Sequence, residues 1–209
     1  CGALSNLSVT VDEINFNSES TIDAGDWIEL YNYGSTTVDL SNAVLLNGDS
    51  YEKYCVIPNN THLNAGQRLV IYEDSLKFAP QFPSVTNKIG PLCFKLSNTG
   101  QKLTIRDKDN KLITSFTYSS DWQCSAAGYG RTLQRLSPTS NPDSSSSWFA
   151  GCVGGSPGVA YTPCVENPIC SEINYNSISI SDAGDWIELY NKDNTTFNLG
   201  GWSLRDGSG

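Results

Sequence analysis

The decapeptide DAGDWIELYN occurs twice in this chain of 209 residues, at positions 23–32 and again at 182–191. Around it, residues 11–50 align with residues 170–209 at a constant offset of 159 without a gap, and 21 of the 40 aligned positions are identical. Self-similarity at a fixed period is the signature of a repeat architecture. The sequence therefore predicts one complete module at residues 1–160 and the first part of a second module at residues 170–209.

The two predicted modules are separated by a stretch rich in proline and glycine, GGSPGVAYTPCVENPIC at residues 154–170. It has no sustained apolar period, which is typical of a linker, and we assign the linker to residues 161–169. A segment as short as residues 170–209 cannot close a sandwich core without help. We therefore expect the second module either to be truncated here or to pack against another chain.

Strand patterns dominate the first module. LSVTVDEINF at residues 7–16 alternates and is rich in β-branched side chains, and DWIELYN places Trp27 and Glu29 on one face of a strand and Ile28 and Leu30 on the other. No segment of helical length shows a 3.6-residue apolar stripe. Short strands separated by turn sequences predict an all-β fold, an antiparallel β-sandwich in tandem repeat. The further strand candidates are residues 36–40, 43–47, 51–57, 68–73, 102–107, 112–118 and 132–136.

Charge and hydropathy exclude two classes of partner. The net charge is −9 and the 13 Lys and Arg residues are scattered, whereas nucleic-acid binding depends on clustered basic side chains. No apolar run approaches the roughly 20 residues that a membrane-spanning helix needs. We predict neither nucleic-acid binding nor membrane insertion, and no cofactor.

The seven cysteines indicate disulfides rather than a metal site. They are not arranged in CxxC pairs, and with His62 as the one histidine a zinc site of the usual spacing cannot be written. Disulfides in turn favour an oxidising compartment, so we expect a secreted or cell-surface protein. The sequence does not fix the connectivity, but the pairs we predict are Cys55 with Cys93, Cys124 with Cys152, and Cys164 with Cys170, which leaves Cys1 unmatched.

The repeated acidic residues Asp23, Asp26 and Glu29 raise the question of a calcium site, because Ca²⁺ takes six to eight oxygen ligands. Asp26 and Glu29 are an odd number of residues apart along a strand, so they point to opposite faces, which is poor geometry for one ion. The alternative is structural. In that case Asp23 bonds the backbone of a turn, and Glu29 is held by neighbouring hydroxyls or amides. We favour the structural role and predict no metal.

Catalytic arrangements find little support in the sequence. A glycosidase pair of carboxylates would need a cleft between them, which no spacing suggests. His62 lies in the polar loop PNNTHLN, and no G-x-S-x-G motif is present. We therefore predict no catalytic residues.

Aromatic side chains offer a separate functional hypothesis. Trp122, Tyr129, Trp148 and Phe149 lie in two segments near the predicted Cys124–Cys152 pair. Exposed aromatics beside glycine-rich loops can stack on sugar rings, whereas rings beside a disulfide more often pack on it as core. The first case would make this region a carbohydrate-binding site.

Four segments together carry a family resemblance: EINFNS…DAGDWIELYN…VDLSNAVLLNGD, IPNNTHLNAGQRLVIYED, GPLCFKLSNTGQKLTIRDKDNKLITSFTY and SSWFAGCVGGSPG. They resemble the lamin tail domain in the form found in secreted and surface proteins of bacteria, over residues 8–160 and again over 170–209. The resemblance implies an immunoglobulin-like β-sandwich without enzymatic activity. It also implies a structural or interaction module.

We accordingly expect a non-catalytic module of a tandem-repeat extracellular protein, such as a fibre, sheath or adhesin. Its partners would be neighbouring repeats or identical chains, and strands of residues 170–209 could complete a sandwich with the next chain by strand addition, head to tail. The alternative is an accessory module that brings an attached enzyme to a surface polysaccharide.

Overall fold

The computed structural model describes residues 4–164, 168–175, 184–191, 196, 199–200 and 204. The chain divides into two compact units, residues 1–162 and 163–209. The boundary between them falls inside the stretch predicted as a linker.

Alternating apolar residues and turn sequences give the first unit its strands, whose bounds are β1 (Val9–Asn15), β2 (Trp27–Asn32), β3 (Val38–Asp39), β4 (Val44–Asn47), β5 (Tyr54–Val56), β6 (His62–Leu63), β7 (Arg68–Tyr72), β8 (Lys88–Ile89), β9 (Gly100–Arg106), β10 (Leu112–Ser119), β11 (Arg131–Arg135) and β12 (Trp148–Val153). The described part of this unit also contains the α-helix α1 (Ser75–Gln81). Within residues 4–164, the order β12-β11-β1-β2-β7-β8 forms the large sheet, the order β10-β9-β4-β5 forms the small sheet, and β3 pairs with β6. All of these pairs are antiparallel except β7 with β8.

The two sheets pack face to face around one hydrophobic core. Ile28 and Leu30 of β2 point inward from the large sheet, as the alternation predicts, and meet Leu45 and Leu103 of the small sheet. All four side chains are fully buried. The prediction of an all-β immunoglobulin-like sandwich is confirmed.

The outer face of the large sheet is covered as well. Trp27 of β2 lies there in a second cluster and makes edge contacts with Phe78 and Phe82, at ring-centroid distances of 6.2 and 6.1 Å. Phe78 belongs to α1, which the Asp74 side chain caps by accepting a hydrogen bond from the Leu76 amide. The large sheet is therefore buried on both faces, and side chains on either face can be fully removed from water.

The sequence did not predict the strands β6, β8 and β12, nor the helix α1. Helix α1 has seven residues, of which Phe78 is buried, and it contains Pro80, a residue that usually interrupts helices. A single buried residue cannot show the 3.6-residue apolar period from which a helix is predicted. No helix in the described part of the chain is both long enough and apolar enough to cross a membrane.

The second unit contains, among its described residues, the strands β13 (Ile169–Asn174) and β14 (Trp186–Tyr190), which pair antiparallel. In both units a bulge interrupts the pairing, between Val11 and Glu13 of β1 and between Cys170 and Glu172 of β13. The β13–β14 pair therefore repeats the register of β1 and β2.

Candidate functional site

A group of acidic side chains lies buried on the outer face of the large sheet. Glu13 of β1 and Glu29 of β2 are direct cross-strand partners, and neither has any exposed surface. Glu29 is on this face because it shares the strand parity of Trp27. Glu13 is on this face because of the bulge in β1, which shifts the alternation of inward and outward side chains by one residue. Val11 and Ile14 both point into the core, and the two residues between them do not.

Residues 154–158, Gly-Gly-Ser-Pro-Gly, run across these carboxyl groups, and we call this segment the strap. The Ser156 amide donates to Glu13 Oε1 at 3.0 Å, and the Ser156 hydroxyl donates to Oε2 at 3.0 Å. The Gly158 amide donates to Glu29 Oε2 at 2.5 Å. From β11, the Thr132 hydroxyl donates to Glu13 Oε1 at 2.5 Å. The strap is thus held down by hydrogen bonds to two buried acids.

Gly155 allows the strap to come this close. It has a φ of +80°, and a Cβ at this position would lie 2.7 Å from Glu13 Oε1 and 2.8 Å from Thr132 Cγ2. Any other residue would push the strap away from Glu13 in addition to straining the backbone.

Arg68 of β7 supplies the positive charge of the site. Its Nη2 lies 2.9 Å from Asp12 Oδ2, and its Nε donates to the same oxygen at 3.0 Å. The Nε is also 3.1 Å from Glu29 Oε1, but its hydrogen is directed to Asp12, so this Glu29 oxygen is close to the guanidinium without accepting a hydrogen bond. The Arg68 guanidinium stacks over the Tyr31 ring at 4.0 Å.

Burial dominates the protonation of these acids. It raises the pKa of Glu13 to about 7, and burial together with the charge of Glu13 raises the pKa of Glu29 to about 9. Burial also raises the pKa of Asp12, against the lowering effect of Arg68. Two guanidiniums, Arg68 and Arg135, act on Asp12. Because three carboxyl groups still outnumber them, we expect the cluster to retain at least one proton at neutral pH.

The arrangement suits a structural role better than acid–base catalysis. Glu13 and Glu29 have no exposed surface, so a substrate cannot reach them without displacement of the strap. Two open grooves of about 500 and 440 Å³ are lined by Arg68. Pro157 and Gly158 of the strap line the first, and Ala160 and Tyr161, just after the strap, line the second. The Arg68 guanidinium that faces these grooves already forms an ion pair with Asp12.

The repeated acids of the first decapeptide bind separate partners. Asp23 Oδ1 accepts from the Gly25 amide at 2.8 Å, which is the turn bond expected from the sequence, and Asp23 Oδ2 lies 2.5 Å from Lys77 Nζ. Asp26 Oδ2 accepts from the Leu96 amide at 2.7 Å, and burial raises the pKa of Asp26 to about 6. The three side chains are thus not gathered around one point.

Neither a metal-binding cluster nor a catalytic role for His62 is supported by the described residues. In the described residues, no three His, Cys, Asp or Glu side chains are placed to hold a metal ion. His62 lies on the surface, with its Nε2 3.9 Å from Asp39 Oδ1.

The cysteines differ from the predicted pairing. Cys124 and Cys170 carry free thiols, whereas Cys152 and Cys164 are disulfide-bonded, so the predicted pairs Cys124–Cys152 and Cys164–Cys170 are wrong. Sequence spacing gave no means to choose among the connectivities.

The remaining predicted pair is close in space but reduced. Cys55 and Cys93 are both free thiols, and the Cys93 amide lies 2.6 Å from Cys55 Sγ as a hydrogen-bond donor.

The four aromatic residues proposed to stack on sugars do not form one exposed platform. Trp148 is buried and stacks on the core residue Phe116 at 5.4 Å, and Trp122 packs against it at 6.2 Å. Phe149 makes an edge contact with Tyr161 on the outer face. Tyr129 is 72% exposed. The two tryptophans therefore take the core role that the sequence left open.

The family model of the Lamin Tail Domain matches residues 3–120, which is more than half of the chain. The chain belongs to the lamin tail domain family. This agrees with the resemblance noted in the sequence, and the family is one of non-catalytic immunoglobulin-like domains that serve as structural or interaction modules. No curated protein matches the chain. The family match does not reach residues 170–209, so a second lamin tail domain there stays a prediction.

Sequence reasoning missed the main members of the buried site, namely Asp12, Glu13, Arg68, Thr132 and Ser156. One signal was available. Glu13 belongs to a Glu-Ile-Asn triplet that recurs at Glu172, so it is part of the repeat just as Glu29 is. Within the first unit, Glu13 and Glu29 are the partners of the strap.

Proposed function

We propose that this chain is a non-catalytic structural module of a tandem-repeat extracellular or cell-surface protein, such as a fibre, sheath or adhesin. The observation that carries the proposal is the repeated strand pair. Glu172 and Glu188 pair across β13 and β14 as Glu13 and Glu29 do across β1 and β2. A chain that builds the same strand pair twice is suited to an array of similar modules.

The use of its acidic side chains supports a structural role. In the first unit, Glu13 and Glu29 hold the strap, and Asp26 holds a loop through the Leu96 amide. The acids that could have served as catalytic groups are thus engaged in internal contacts.

An extracellular location is supported by the disulfide bonding of Cys152 and Cys164. Disulfides persist in oxidising compartments and are rare in the cytosol. Alkylation of the protein isolated from its native cells without reductant tests this point. We expect Cys124 to be labelled while Cys152 and Cys164 are protected. Labelling of all three would contradict an extracellular location.

Assembly through the second unit is the finer part of the proposal. In the described part of the chain, β13 and β14 pair only with each other, and Ile173 and Ile187 are 59% and 41% exposed. Their counterparts Ile14 and Ile28 form core in the first unit. We propose that strands of a neighbouring repeat or an identical chain add to this pair and cover its apolar side chains.

Sedimentation velocity over a range of concentrations tests the assembly. We expect the mean mass to rise with concentration, and the substitution Ile187→Asp to abolish the rise. Leu136→Asp is the matched control, because Leu136 is a comparably exposed aliphatic side chain of the first unit. A chain that is monomeric at all concentrations, or an equal effect of both variants, would contradict strand addition.

Carbohydrate binding by an accessory module is the second candidate. Tyr129 favours it, because this exposed ring lies between Gly128 and Gly130, where it is accessible for stacking. A glycan array tests it. We expect any binding to be lost in Tyr129→Ala and retained in Tyr33→Ala, which removes another exposed tyrosine. Absence of binding to any polysaccharide would rule against this candidate.

A further inference from the structure

Two thiols meet at the open edge of the sandwich. Cys55 lies on β5, the edge strand of the small sheet, and Cys93 follows β8, the edge strand of the large sheet. The Cys93 amide nitrogen is 2.6 Å from Cys55 Sγ. Since Cα is about 1.5 Å from the amide nitrogen, the backbone of Cys93 lies within about 4 Å of that sulfur. This is within the reach that a disulfide requires.

The two cysteines differ in access to solvent. Cys55 is 6% exposed, whereas Cys93 is exposed. A cavity of about 50 Å³ lies beside Cys55 between the sheet edges, with Leu45 and Ile71 among its apolar walls. An oxidant in solution can therefore reach Cys93 but not Cys55.

We propose that Cys55 and Cys93 form an oxidation site that reacts with a small-molecule disulfide, such as glutathione disulfide, and staples the two sheets together. The pairing was predicted from the sequence. The structure adds the order of reaction, with Cys93 as the attacking thiol and Cys55 as the resolving thiol.

The chemistry takes place in two exchange steps. The Cys93 thiolate attacks one sulfur of glutathione disulfide, which forms a mixed disulfide on Cys93 and releases one glutathione. The Cys55 thiol then loses its proton and attacks Cys93 Sγ, which forms the Cys55–Cys93 disulfide and releases a second glutathione. The protein loses two protons and two electrons, and these reduce one glutathione disulfide to two glutathiones.

The environment of Cys55 supports this order. Burial, and next the Cys93 thiol, raise the pKa of Cys55 to about 12, so its thiolate is scarce while Cys93 is reduced. Once Cys93 is bound to glutathione, the contribution of its thiol is gone and a disulfide sulfur lies next to Cys55.

Peptide mapping of the full chain after incubation with glutathione disulfide tests the proposal. We expect a Cys55–Cys93 cross-link and no stable glutathione adduct on Cys93. Cys124 is the internal control, because it is an exposed free thiol and we expect it to keep its adduct. A stable adduct on Cys93, or mapping that finds Cys55 unchanged, would overturn the proposal.

Two variants separate the roles of the thiols. In Cys55→Ser, we expect the glutathione adduct to accumulate on Cys93, whereas in Cys93→Ser we expect Cys55 to remain unmodified. Cys93 is exposed, so its replacement tests the order of attack even if Cys55→Ser does not fold. Modification of Cys55 in Cys93→Ser would show that the proposed order is wrong.

The staple should also be visible in stability. It closes a loop between residues 55 and 93, and we expect oxidation to raise the Tm of the first unit by about 10 °C. Amide exchange of β5 should slow on oxidation, because this edge strand becomes tied to the opposite sheet. An unchanged Tm together with a mapped cross-link would show that the bond forms without acting as a staple.

Discussion

The strand pairs β1–β2 and β13–β14 carry the repeated sequence in two different environments. Both contain the bulge, and in both an asparagine side chain ties the turn, with Asn15 Nδ2 donating to the Gly25 carbonyl and Asn174 Nδ2 to the Gly184 carbonyl, each at 2.7 Å. Their burial differs. Trp27 is 0% exposed and Trp186 is 37% exposed.

The comparison shows which properties the repeated sequence specifies by itself and which properties depend on the rest of the first unit. Register, bulge and turn occur in both copies, so they are local properties of the sequence. Burial depends on neighbours that are distant in sequence, namely β7, β11, α1 and the strap. The following substitutions, made at equivalent positions of the two copies where possible, test this separation, from the largest expected effect to the smallest.

Replacement of the repeated tryptophan should show the largest difference between the copies. Trp27→Ala removes a fully buried ring that contacts Phe78 and Phe82, and we expect it to lower the free energy of unfolding of the first unit by about 3–5 kcal/mol. Trp186→Ala should leave that unfolding transition unchanged. Denaturant unfolding measures both, and similar effects of the two variants would contradict the separation.

The repeated glutamate should give the first copy a pH dependence. The folded-state pKa of Glu29, about 9, lies above its ordinary value of 4.5, so the folded state binds more protons than the unfolded state between these values. The contribution of Glu29 to stability is therefore largest below about pH 4.5 and falls as the pH rises toward 9, with a slope of up to about 1.4 kcal/mol per pH unit. Glu13 acts in the same direction up to about pH 7.

Urea unfolding across this pH range measures the effect. Glu29→Gln removes the titrating group and should flatten the slope, whereas Glu188→Gln, at an exposed position, should leave the slope of the first unit unchanged. The range above about pH 7 isolates Glu29, because Glu13 no longer contributes there. A slope that survives above pH 7 in Glu29→Gln would mean that Glu29 is ionised in the folded protein.

The repeated turn glycine should respond alike in both copies. Gly25 and Gly184 both have a φ of +70°, and a Cβ at either position would meet no atom closer than 3.6 Å. Gly25→Ala should therefore cost about 1–2 kcal/mol through backbone strain. Gly184→Ala should reduce the amide protection of β13 and β14 for the same reason. A loss of protection in one copy only would show that the turn is not a local property.

The surface ion pair of the first copy should have the smallest effect. Lys77 Nζ lies 2.5 Å from Asp23 Oδ2, but the two side chains are 48% and 37% exposed, so solvent screens the pair. Exposed pairs contribute little, and we expect Lys77→Ala to shift the Tm by no more than about 2 °C. A larger shift in a thermal melt would indicate that Lys77 also supports α1 by packing.

The sequence predicted the sandwich because Ile28 and Leu30 alternate with polar residues in a way that the core then uses. It missed α1, whose helical residues bury one side chain, Phe78. Glu13 was missed for a different reason. An acidic residue in an alternating strand is expected to face water, and the bulge and the Ser156 bonds that bury it involve a residue 143 positions away. Local patterns carry no information about such contacts.

The position of the strap near the end of the first unit has a consequence for biosynthesis. A ribosome makes Glu13 and Glu29 long before it makes Ser156 and Gly158, the residues whose amides the two acids require. Until those amides emerge, burying the two carboxyls would leave them without these donors, at a substantial cost in free energy. The nascent chain should therefore delay its final closure until residue 158 has left the exit tunnel, and a fragment that stops earlier should keep these acids hydrated and the sheet open.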